Sequence, residues 1–115
     1  MSVDQTQQVV DRYFDVMVAG GDFSQSYADD VSWTMVDADI EIRGAVAVRD
    51  YIIALHAQMA ETHTRKIVVS DGAAYLEGDC PDPDKGEPHR IAYCVAYDIT
   101  GDRITAMRGH GRSVR

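Results

Sequence analysis

No apolar run in this sequence approaches the ~20 residues that span a bilayer. The opening MSVDQTQQVV lacks the basic and apolar regions of a secretory signal, so a cytoplasmic location is expected. Cations are scarce. Eleven Lys and Arg stand against 19 Asp and Glu, for a formal net charge of −8. Such a surface repels phosphate backbones and anionic lipids, which speaks against nucleic acid and membrane as partners. The only cysteines are Cys80 and Cys94, and the four histidines, His56, His63, His89 and His110, are scattered. No Cys/His cluster has zinc spacing, and no metal or other cofactor is expected. A glycine-rich phosphate loop, a G-x-S-x-G elbow, an H-E-x-x-H helix and internal repeats are all missing.

What remains suits one compact domain over residues 1–115, with 45% hydrophobic and 26% charged residues. The stretch PDPDKGEP, between the cysteines, reads as a hairpin loop. Symmetric closure around it sets Cys80 opposite His89 and keeps the two thiols too far apart for a disulfide. Both are expected to be reduced.

The elements follow from periodicity. SVDQ has the form of a capping box, with Ser2 as the cap and Gln5 reaching back. Val9, Val10, Tyr13, Phe14 and Met17 then recur at helical spacing until AGGD ends the helix. Asp22 can cap a short second helix through Tyr27. Val31–Val36 reads as a strand, and IEI as another. Val48, Tyr51, Ile52, Leu55 and Met59 mark a third helix over Ala45–Glu61. Three or four antiparallel strands follow, in RKIVVS, AAYLEGD, RIAYCVAYDIT and RITAMRGHGRSV. Three helices in the N-terminal half and a late meander predict an α+β fold.

This order, with RYFDVMVAGGD, YADDVSWT, IRGAVAVRDYI and GDRITAMR in sequence, resembles the nuclear transport factor 2-like superfamily. That group includes the SnoaL-like polyketide cyclases and the steroid Δ5-3-ketoisomerases. The resemblance implies a curved antiparallel sheet wrapped around a long helix as a cone, an apolar pocket at its mouth, and a homodimer through the convex face. It places Tyr13 on the tyrosine that donates to a substrate oxyanion. It places Met35 where the family has a proton-shuttling aspartate, and Tyr93 near the second donor acid. Methionine cannot take a proton, so the complete isomerase site is absent.

Two readings of Asp37 stand open. Strand alternation puts it on the face of Trp33 and Met35, where desolvation would raise its pKa and suit it as a general base. Alternatively it caps the turn VDAD. Tyr13 is either the donor to a ligand carbonyl or a core tyrosine. Trp33, Met35, Tyr93, Val95 and Met107, with Tyr51 and Leu55 by family position, would line a pocket for a small hydrophobic molecule, or simply form core. His110 alternates with Gly109 and Gly111 and falls on the convex face. His56 and His63 are expected to be exposed, as are Asp29, Asp30 and Glu41. The function expected is a pocket protein. It would be an isomerase, cyclase or lyase without metal, acting through Tyr13 and Asp37, or a non-catalytic ligand-binding or dimerisation module.

Overall fold

The computed structural model describes residues 2–59 and 61–114. Helix α1 spans Val3–Val18. Its start is the capping box expected from SVDQ: Ser2 Oγ accepts from the Gln5 amide at 3.2 Å, and Gln5 Oε1 accepts from the Ser2 amide at 2.9 Å. Thr6, fully buried, donates its hydroxyl proton to the Ser2 carbonyl and accepts from the Gly72 amide, each at 3.0 Å. The helix start is thereby fastened to a distant hairpin turn. The buried stripe is Val9, Val10 and Tyr13. Gly20, at φ +78°, reverses the chain after the helix, a conformation that L side chains rarely adopt.

The expected second helix is a single 3-10 turn, Phe23–Ser26, with the Asp22 carboxylate accepting from the Ser24 amide at 3.0 Å. Strand β1 covers Tyr27–Met35 and β2 Ile40–Arg43. Helix α2 spans Ala45–Ala57, shorter than expected, because the chain is already turning at Gln58 and takes a left-handed φ of +51° at Glu61. Four strands follow: β3 His63–Ser70, β4 Ala73–Pro81, β5 Arg90–Thr100 and β6 Arg103–Val114.

The six strands form one curved, unclosed sheet in the order β2-β1-β6-β5-β4-β3. All neighbours pair antiparallel except β1 and β6, which run parallel. Cys80 pairs with Ile91 rather than His89, a slip of two that leaves every side chain on its expected face. Both cysteines are free, Cys80 buried and Cys94 exposed. No helix among the described residues is long and apolar enough to cross a membrane.

One side of the sheet carries the core. Ala74 and Leu76 of β4, Tyr97 and Ile99 of β5, and Ile104 and Met107 of β6 pack with Val9, Val10 and Tyr13 of α1 and Val48 and Ile52 of α2. Two glycines in this face let aromatic rings lie against the backbone. A Cβ at Gly109 would sit 2.8–2.9 Å from indole carbons of Trp33, and one at Gly78 would sit 2.8 Å from the Tyr93 hydroxyl oxygen. Gly109→Ala is therefore expected to lower stability by about 1–3 kcal/mol, the usual range for overpacking. Urea denaturation checks this, and an unchanged midpoint would show that the indole does not rest on that glycine.

Candidate functional site

The helices do not fill the bowl of the sheet. Between α1, α2 and the core face of β1, β3, β4, β5 and β6 lies a cavity of about 410 Å³, within the ~300–1,000 Å³ of small-molecule sites. Its floor is buried: Tyr13, Trp33, Ile52, Leu76, Tyr97 and Met107. Its rim is exposed: Val18, His56, Thr62 and Thr64. Larger depressions, of about 630 and 660 Å³, lie elsewhere on the molecule, but charged side chains line them and both are more open.

The Tyr13 phenol in the floor is hydrogen-bonded to a second phenol, Tyr27, that stands behind the lining. The Tyr13 and Tyr27 hydroxyl oxygens are 2.6 Å apart, and either can donate. Tyr13 is only 2% exposed and Tyr27 only 3%. Phe23 meets both rings edge-on, at centroid distances of 5.8 and 6.1 Å, and Tyr97 meets Tyr13 at 6.3 Å. Burial above all pushes both phenol pKa values up, so both hold their protons at neutral pH. One shared bond between two hydroxyls uses one proton and leaves one. If Tyr27 donates to Tyr13, the Tyr13 proton is free for a ligand oxygen, and the chain of bonds strengthens it as a donor.

The rest of the lining is uncharged at neutral pH. Among the described residues no carboxylate, lysine or arginine borders the cavity. Burial likewise raises the phenols of Tyr93 and Tyr97. His56 is the one imidazole, on the last turn of α2, and burial alone lowers its pKa. Much of its surface still meets solvent, but its apolar neighbours disfavour the cation. The indole N–H of Trp33 is buried without a hydrogen-bond partner among the described residues. Tyr51 packs on that indole at right angles, 6.4 Å between ring centroids. Among the described residues no His, Cys, Asp and Glu group has the arrangement of a metal site.

Of the residues selected from sequence, Tyr13, Trp33, Leu55, Tyr93, Val95 and Met107 meet around this one cavity. Tyr51 and Met35 stand behind the lining. Tyr51 backs Trp33, and the Met35 sulfur lies 3.6 Å from where a Gly109 Cβ would be. Asp37 is elsewhere. β1 stops at Met35, and a 3-10 turn over Val36–Ala38 breaks the alternation that was to carry Asp37 inward. Its carboxylate is exposed, accepts from the Gly111 amide at 2.8 Å, and borders an open depression with Arg65, Glu77, His110 and Arg112. The geometry gives it no access to Tyr13. His110 is exposed on the opposite face from Met107 and Gly109, as the alternation predicts.

Sequence reasoning missed Tyr27 and His56. The helix expected from Asp22 runs through Tyr27, whereas the structure starts the irregular strand β1 there. Its pairing with β6 shifts register between Tyr27 and Ser32, so the period-2 signal fails there. Asp29 and Asp30 fall in that irregular stretch and are exposed. His56 sits one residue from Leu55 on α2, and a helix with apolar residues on several sides gives no clear sign of which one borders a cavity.

No protein-family model matches this chain, and no curated protein does either. Solved structures do. A steroid delta-isomerase from Pseudomonas aeruginosa superposes with TM-score 0.78 at 11% identity, over 94% of this chain and 80% of that one. An NTF2-like protein from Mesorhizobium loti gives 0.76 at 17%, over 95% and 92%. Another, from Cytophaga hutchinsonii, gives 0.72 at 17%, over 93% and 99%. The chain has the nuclear transport factor 2-like fold. At such identities the likeness establishes the fold alone.

Proposed function

We propose that this protein binds a small, apolar, carbonyl-bearing molecule in the cavity, with the Tyr13 hydroxyl as donor to the carbonyl oxygen. The observation that carries this reading is the Tyr13 phenol in the floor of a mostly apolar cavity, backed by its hydrogen bond to Tyr27 behind the lining. An apolar wall with a few placed polar groups is the usual make-up of a small-molecule site. The steroid isomerase among the fold neighbours supports the same class of ligand. A second reading is binding without turnover, favoured by Met35 at the position where the resemblance implies the proton-shuttling aspartate.

We propose further that the chain forms a homodimer through the convex face, where Val68 and Tyr75 pair across β3 and β4 and are both exposed. The Asp98–Arg108 ion pair on this face, 2.8 Å, supplies both signs of charge for a self-complementary contact. Light scattering is expected to give twice the chain mass for the wild type and the monomer mass for Tyr75→Glu. A monomeric wild type would remove the dimer.

β-Tetralone, a bicyclic apolar ketone, is a suitable probe of the cavity. Calorimetry is expected to show binding, weakened about 2- to 12-fold by Tyr13→Phe, the equivalent of a neutral hydrogen bond of ~0.5–1.5 kcal/mol. Equal affinity for both proteins would make Tyr13 a core residue only.

A further inference from the structure

We propose that His56 is the base of this cavity, taking a proton from carbon next to the bound carbonyl. The inference rests on the ligand reading above and adds the reaction to it. Its ground is placement. His56 borders the same cavity as Tyr13, in the exposed rim above the buried floor. It is the only group among the described lining residues that exchanges a proton near neutrality. The other titratable groups facing the cavity are the phenols of Tyr13 on α1 and of Tyr93 and Tyr97 on β5. All three stay protonated, because burial raises them. Thr62 and Thr64 add hydroxyls and no charge. Asp37, the other candidate, is held by the Gly111 amide outside the cavity.

The step needs no second reactant. An imidazole nitrogen of His56 takes the proton. The C–H electron pair becomes the enolate double bond, and the carbonyl π pair moves to the oxygen, where Tyr13 donates its hydrogen bond. The imidazolium then returns the proton to the same carbon or to a conjugated one, giving exchange or isomerisation. Apolar crowding favours the neutral imidazole, which is the form a base requires at neutral pH. The pKa lies below the ~6.5 of free imidazole. The rate is therefore flat near neutrality and falls about tenfold per pH unit below that lowered value.

The test is hydrogen–deuterium exchange of β-tetralone in deuterated buffer, followed by NMR, with binding measured separately by calorimetry. The expected result is exchange accelerated by the wild type and reduced ~10²–10⁴-fold in His56→Gln, with binding retained. Added imidazole should partly restore the rate in His56→Ala. His63→Gln, on an exposed strand position with its imidazole 3.8 Å from Asp79, should leave the rate unchanged. Failure of the wild type to bind β-tetralone would overturn the ligand reading, and this inference with it. Binding without accelerated exchange, or exchange indifferent to His56 and lacking the acid limb, would overturn this inference alone.

Discussion

The hydrogen bond between Tyr13 and Tyr27 ties α1 to the start of β1 inside the buried core. Two buried hydroxyls without partners would each carry a desolvation penalty of ~1–3 kcal/mol, so the bond is first a requirement of the core. It is also an incomplete solution, since one proton is left over. The surrounding rings, Phe14, Phe23 and Tyr97, have no oxygen placed to take it except the Tyr97 phenol, and no hydrogen bond joins Tyr97 to the pair among the described residues. When Tyr27 is the donor, the cavity opening on Tyr13 gives the Tyr13 proton a destination.

The cavity itself depends on the bend of the sheet and on what the helices leave uncovered. Gly78 and Gly109 allow Tyr93 and Trp33 to lie against the strands, which keeps large rings in the wall and out of the middle. α1 contributes Tyr13, Phe14 and Met17 from one side, and α2 contributes Ile52, Leu55 and His56 from another. Thr6 anchors the first helix to the β3–β4 turn through Gly72, which fixes the slant at which Tyr13 enters. Small changes at these anchors would alter the depth of the pocket before they altered the fold.

Much of this was legible in the sequence. The capping box at Ser2, the stripe through Tyr13 and the alternation Tyr93, Val95, Tyr97 are local signals, and the structure realises each. The hairpin register came out two residues off, because a loop as rich in turn residues as PDPDKGEP can close in more than one way; here Asp82 organises it by accepting from the Asp84 and Lys85 amides and from Ser113. The placement of Asp37 was legible only as two alternatives. Alternation carries it inward while the strand lasts, and VDAD also reads as a turn; the structure has the turn, over Val36–Ala38, with the Asp37 carboxylate accepting from the Gly111 amide. Tyr27 was hidden by an irregular pairing, and His56 by a cavity that exists only in three dimensions. The site residues that were found lie on regular elements; those that were missed lie at element ends or depend on the space between elements.

The most direct measurement is the infrared carbonyl stretch of isotope-labelled β-tetralone bound to the wild type, to Tyr27→Phe and to Tyr13→Phe. A hydrogen bond from Tyr13 lowers the stretching frequency. The expected result is a wild-type band well below that of the ketone in alkane, a smaller lowering when Tyr27 no longer reinforces the donor, and an alkane-like band in Tyr13→Phe. An alkane-like band in the wild type would mean that the spare phenol proton never reaches the ligand, and would contradict the assignment of Tyr13.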